Sequence, residues 1–108
     1  MIPMEFCPCP DGVPYVLTPD DPLLGGMLSG LKRWGVKTAL QGVAQVRSGE
    51  VPEYENGMDG HIYVIVRDEV RYWYEWEPET VGTISLDDWE DCLRRFDAWM
   101  ATLKFKAD

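Results

Sequence analysis

Metal binding and nucleophilic catalysis draw on histidine and cysteine, and this chain holds one histidine, His61, and three cysteines, Cys7, Cys9 and Cys92. A zinc centre would need His61 to converge with the thiols, but Cys7-Pro8-Cys9-Pro10 lacks the gap of roughly two to four residues found in common zinc knuckles. Nucleophilic catalysis would pair Cys92 with His61. Cys92 instead adjoins Leu93 beside an apolar helical stripe, the setting of an inert core thiol. Gly25-Gly26 and Gly30 lack the Lys-Ser/Thr of a phosphate loop. Carboxylates abound, yet no spacing singles out two of them for glycosidase-type acid and base work. The expectation is a protein that is not an enzyme and needs no metal or cofactor. A small metal-binding or catalytic domain using His61 and the cysteines is the alternative of a different class.

The elements that must carry these residues fit one domain spanning residues 1–108, since the chain has 108 residues and is 45% apolar. At that size a core can hold without disulfides or metal. The formal net charge of −9 argues against a basic nucleic-acid-binding surface and against a polybasic membrane patch. The opening residues lack the cationic and apolar regions of a secretory leader, and no apolar run approaches the roughly 18 residues of a membrane span. With an odd cysteine count, a reducing, cytoplasmic setting is expected.

Residues 1–12 contain Pro3, Pro8 and Pro10, end in the turn signal Asp11-Gly12, and predict an irregular lead-in. Residues 13–18 suit a short strand that Pro14 confines to an edge. Asp21 as N-cap, Pro22 in the first turn and Gly35 as a left-handed stop predict a helix over 21–34, with Leu24, Met27, Leu28, Leu31 and Trp34 on its apolar face. Val36, Thr38 and Leu40 alternate, so 36–47 is expected to be a strand. Residues 48–60 carry Gly49, Pro52, Asn56-Gly57 and Gly60 and predict an exposed loop. Residues 61–67 and 70–77 form the strongest β signal, a hairpin over 61–77 turning at Asp68-Glu69. Pro78-Glu79 turns the chain and 80–84 adds a strand. Ser85 then caps a helix over 85–105 whose Leu86, Trp89, Leu93, Phe96, Met100 and Leu103 recur at steps of three and four. The fold class expected is α+β: an antiparallel meander of about four strands packed on the C-terminal helix, with a short N-terminal helix.

Resolved along the chain, the charge is uneven. Residues 1–48 balance, whereas 50–91 hold thirteen carboxylates against Arg67 and Arg71. Asp87, Asp88, Glu90 and Asp91 occupy the first turns of the last helix and complement its dipole, so they need no functional explanation. The remaining acids lie in the 48–60 segment and across the hairpin. A period of two puts Tyr72, Tyr74 and Trp76 on one strand face and Arg71, Trp73, Glu75 and Glu77 on the other. If the tyrosine row meets the helix, Trp73 stands outside among carboxylates. With Glu53, Tyr54, Glu55 and Asp59 it makes an anchor set for a basic protein partner: Glu53, Tyr54, Glu55, Asp59, Trp73, Glu75 and Glu77.

A short acidic chain with the aromatic hairpin 61–77, and with Thr83-Ile84-Ser85-Leu86-Asp87-Asp88-Trp89 running into Cys92-Leu93-Arg94-Arg95-Phe96-Asp97-Ala98-Trp99, resembles the small bacterial immunity proteins that neutralise toxin nucleases. The resemblance is one of class and covers roughly residues 60–103. It implies a non-catalytic inhibitor that covers a toxin's basic, nucleic-acid-binding surface without itself binding nucleic acid. The alternative is a phage-type inhibitor or DNA mimic of a host defence or nucleic-acid enzyme, served by the same electrostatics.

Overall fold

A computed structural model describes residues 1–8 and 14–103. The chain runs β1 (Glu5–Pro8), β2 (Pro14–Leu17), α1 (Pro22–Arg47), β3 (Glu53–Met58), β4 (His61–Val66), β5 (Glu69–Tyr74), β6 (Glu77–Ser85) and α2 (Leu86–Met100). The architecture is α+β, with a four-stranded antiparallel meander in the order β3-β4-β5-β6, a separate β1-β2 pair and two helices.

Part of the lead-in is a strand. Glu5, Phe6 and Cys7 pair with Leu17, Val16 and Tyr15, and the two prolines without amide donors, Pro8 and Pro14, face each other at the end of the ladder, where a missing donor costs least. The other edge of β2 is closed by Ser29 of α1, whose hydroxyl accepts from the Val16 amide at 3.0 Å and donates to the Val16 carbonyl at 3.2 Å. The Asp11-Gly12 turn, Val13 and Cys9 lie outside the described residues.

The largest departure from expectation is α1. Its start is as anticipated, with Pro22 in the first turn and the Asp21 side chain accepting from the Leu24 amide. The chain then leaves helical geometry at Lys32 (φ 60°, ψ −172°) and resumes the helix to Arg47. Gly35 is therefore no stop, and 36–47 is not a strand. Val36, Ala39 and Val43 are buried, with Leu40 and Val46 packed against the core, a helical spacing that coexists in the sequence with the alternation of Val36, Thr38 and Leu40. Packing decided between them: at Gly42 a β-carbon would stand 2.5 Å from the Tyr54 ring, so the helix lies directly on β3.

The 48–60 segment is likewise not one exposed loop, because 53–58 form β3. The true turn is Asp59-Gly60, with φ of 53° and 82°, positive at both central residues as a two-residue hairpin turn requires. The next turn is Arg67-Asp68 rather than Asp68-Glu69, with Val66 paired to Glu69 and Arg67 taking the left-handed φ of 56°. Glu77 already pairs with Tyr74 and Gly82 with Tyr72, so β6 bulges over 78–81, where Pro78 has no ladder bond to make.

One face of the sheet carries Tyr63, Ile65, Val70 and Tyr72, all fully buried. The expected α2 stripe covers it: Leu86, Trp89, Leu93, Phe96 and Met100 are buried, and the Trp89 ring lies 5.2 Å from Tyr63 and 6.2 Å from Tyr72. Helix α2 ends at Met100, short of the 85–105 anticipated, and 104–105 lie outside the described residues. It shares the task, since α1 packs on β3, β4 and β5 while α2 meets β5, β6 and α1. The buried Tyr72 hydroxyl donates to the Asp21 carboxylate, joining the sheet to the cap of α1. No described helix is long and apolar enough to cross a membrane.

Candidate functional site

Strand alternation sends β-sheet residues to opposite faces, and the register divides the expected anchor set. Glu53 stands across from Val66 and Val66 from Glu69; Glu55 faces Val64 and Val64 faces Arg71; Ile62 faces Trp73. These residues occupy the face opposite Tyr63 and Tyr72, away from both helices. Ile62, Val64, Val66 and Trp73 are half-buried by their neighbours in the sheet, with Glu53 and Glu55 exposed along the β3 margin. Three anchor residues, Glu53, Glu55 and Trp73, thus share one apolar-centred surface that no described helix covers.

Asp59, Glu75 and Glu77 sit elsewhere, at the end of the sheet. Asp59 is in the β3-β4 turn, the Glu75 amide donates to the Gly60 carbonyl at 2.8 Å, and Glu77 begins β6. Tyr54 belongs to neither group. Its ring points to the helix side, against Gly42 and 6.3 Å from Tyr63, and its hydroxyl accepts from Asn56 Nδ2 at 3.0 Å. Tyr54 is therefore a packing residue between β3 and α1, not an exposed anchor between two glutamates. A loop over 48–60 imposes no alternation on Tyr54, whereas strand β3 turns it away from Glu53 and Glu55.

The ion pairs separate the acids further. On α2, Asp87 and Glu90 are held by Arg47 at 2.7 and 3.0 Å, Glu90 also by Arg94 at 2.7 Å, Asp91 by Arg95 at 2.9 Å, and Asp97 by Lys37 at 3.5 Å. The hydrogen bond from Arg94, reinforced by the charge of Arg47, holds the Glu90 carboxyl below the usual range. Glu69 pairs with Arg71 at 2.6 Å. Among the described residues, no ion pair reaches Glu53, Glu55, Asp59, Glu75 or Glu77.

No family model, curated protein or solved structure matches the chain. The surface has to be understood from its own geometry.

Trp34 and Trp76, both expected on apolar faces, are exposed. Trp34 is 64% exposed beyond the break in α1, and Trp76 is 65% exposed at the end of the sheet. For Trp76 the period of two failed because β5 ends at Tyr74; past that point alternation has no backbone to enforce it. Trp34 left the apolar face because Lys32 turns the helix. The half-buried Ile62, Val64 and Val66 were readable as the second face of β4, but a run so rich in valine and isoleucine does not say which face is covered.

The histidine and cysteine chemistry has a different setting. His61 Nδ1 lies 3.1 and 3.0 Å from the Met58 and Asp59 carbonyl oxygens, acceptors only, so this nitrogen carries the proton and donates. Its ring edges Tyr74 at 5.1 Å and fits over α1 only because residue 30 is glycine. Cys92 is fully buried, and burial foremost pushes its thiol up to about 11, which removes the thiolate a nucleophile needs. Arg95 Nη2 approaches its sulfur at 3.8 Å. Cys7 is a half-buried free thiol in β1. Among the described residues, no three His, Cys, Asp or Glu side chains gather as a metal set. The open cleft bordered by Val46, Arg47, Pro52, Arg67, Asp68 and Leu86 brings in a single carboxylate, Asp68, and its Arg47 is already engaged by two others, those of Asp87 and Glu90.

Proposed function

We propose that this protein is a non-catalytic inhibitor that binds a basic protein partner, in the manner of an immunity protein against a toxin nuclease. The observation that carries the reading is the contrast in pairing. Four acids of α2, Asp87, Glu90, Asp91 and Asp97, are paired within the chain and Asp88 is not, while Glu53 and Glu55 beside the uncovered Ile62-Val64-Trp73 face, and Asp59, Glu75 and Glu77 at the sheet end, have no ion pair among the described residues. An apolar centre with an acidic margin suits a partner surface of lysines and arginines around an apolar patch. The apolar area supplies affinity, and the margin supplies fast, salt-sensitive encounter.

The test compares the wild-type chain with a variant carrying Glu53→Gln, Glu55→Gln, Glu75→Gln and Glu77→Gln, each immobilised and exposed to extract of the native host. The wild type is expected to retain a basic protein, to release it as salt rises, and to suppress its activity on nucleic acid; the variant should retain little. Equal capture and inhibition by the variant would overturn the acidic-surface reading. A captured toxin nuclease supports immunity; a captured host defence or nucleic-acid enzyme would replace that assignment with the phage-type alternative.

A further inference from the structure

Trp76 is exposed and yet held in place. Its ring stacks on Tyr74 at 4.7 Å with 7° between planes, and His61 meets it edge-on at 5.9 Å. It also lies over the β3-β4 turn so closely that a β-carbon on Gly60 would stand 2.5 Å from Cζ3. Tyr74 is in turn seated on α1, where a β-carbon at Gly26 would run into its hydroxyl. This ladder of Gly26, Tyr74, Trp76 and Gly60 fixes an indole that is stacked on Tyr74 and still 65% open to solvent. A ring fixed before binding loses little entropy on contact.

The surroundings specify what the exposed ring suits. Trp76 lies between Glu75 and Glu77 in the chain, and the turn beneath it carries Asp59; none of the three has an ion pair among the described residues. Trp34 provides the contrast within the molecule. It is equally exposed at 64%, but its charged neighbours in the chain, Lys32, Arg33 and Lys37, are all basic, Lys37 being paired with Asp97, so no carboxylate flanks it in sequence as Glu75 and Glu77 flank Trp76. Indole is the best aromatic face for a cation, and a guanidinium, planar and weakly hydrated, stacks on it while its edges donate to carboxylates.

We infer that the exposed part of the Trp76 ring is the docking station for an arginine side chain of a basic protein partner, with Glu75 and Glu77 receiving the guanidinium edges. The inference rests on the partner-binding reading above but assigns the anchor to the sheet end, not to the Trp73 face.

The probe is a short capped peptide of alternating arginine and glycine, compared with its lysine and citrulline counterparts, while the indole N–H signals of the protein are followed by NMR. Trp76→Phe assigns the Trp76 signal and Trp76→Leu removes the ring; retained dispersion of the remaining spectrum shows that the fold survives. The arginine peptide should saturably shift the Trp76 signal, bind several-fold more tightly than the lysine peptide, and lose about tenfold in affinity with Trp76→Leu. The citrulline peptide should leave the signal in place. Shifts centred on Trp73 with Trp76 silent would overturn the anchor while leaving the uncovered sheet face as the binding surface. Equal binding of the citrulline peptide, or no shift at any indole, would overturn the arginine station outright. The wider reading is judged separately, because its capture experiment also depends on Glu53 and Glu55, which lie outside this station.

Discussion

Helix α2 and the four-stranded sheet are both rich in carboxylates, and they differ in what faces those groups. On α2 the acids Asp87, Glu90, Asp91 and Asp97 look toward arginines and a lysine from α1 or from the next helical turn, and the pairs at 2.7 to 3.5 Å cancel their charge locally. On the sheet, among the described residues, only Glu69 is so engaged, by Arg71. Charge that is cancelled within the chain contributes to stability; charge left unmatched contributes solubility and long-range attraction instead. The same residue type therefore serves different purposes a few strands apart, and a total of −9 conceals the division.

The comparison can be sharpened first at the foundation that α2 supplies. Trp89→Ala removes the fully buried indole between Tyr63 and Tyr72 and should cost about 3 to 5 kcal/mol in urea unfolding. A loss below about 1 kcal/mol would mean that α2 is not the lid of the sheet. Next in size is the effect of neutralising Glu53, Glu55, Glu75 and Glu77 together. Stability should stay within about 0.5 kcal/mol of wild type, while association with the basic partner slows by about ten- to a hundredfold at low salt, as stopped-flow mixing would record. A stability loss as large as the binding loss would erase the distinction between the two regions.

Gly42→Ala probes how closely α1 lies on β3. The added carbon meets the Tyr54 ring at 2.5 Å and should cost about 1 to 3 kcal/mol, with partner binding unchanged, because Tyr54 faces inward. The smallest effect belongs to Glu90→Gln, which leaves Arg47 and Arg94 without their shared partner and should cost about 0.5 to 1 kcal/mol at neutral pH. The folded state holds the Glu90 carboxyl below its ordinary value, so its contribution is present above the unfolded value of about 4.5 and is lost as pH falls through the folded one. The variant should accordingly show a shallower loss of stability on acidification, measured by thermal unfolding from neutral pH downward. Weakened partner capture by this variant would break the assignment of α2's acids to stability alone.

Legibility in the sequence followed how local each signal was. The cap at Ser85, the apolar stripe of α2 and the Pro22 helix start are set within a turn or two of chain, and each is present as expected. The hairpin was legible for the same reason, although its turn lies one residue earlier. The second half of α1 and strand β3 were not legible, because each carries two compatible patterns. The 36–47 segment alternates and also repeats at helical spacing, and 53–58 holds both turn-forming and strand-forming residues. Asp59-Gly60 ahead of the apolar run from His61 was the better turn signal, but Asn56-Gly57 competed with it. For the candidate surface, the unpaired acids were identifiable by type and position, whereas their division between a sheet face and a sheet end was not.

By itself the sequence determined that the chain is acidic, that its charge is concentrated between Glu50 and Asp91, and that its fold class is α+β. Those properties are sums and short-range periodicities, which every residue carries with it. Tertiary structure alone decided that Tyr54 turns inward, that Trp76 and Trp34 stay exposed, and which carboxylates find an arginine. Each of those outcomes depends on what stands across a strand or against a helix, and the linear order of residues does not contain that neighbour.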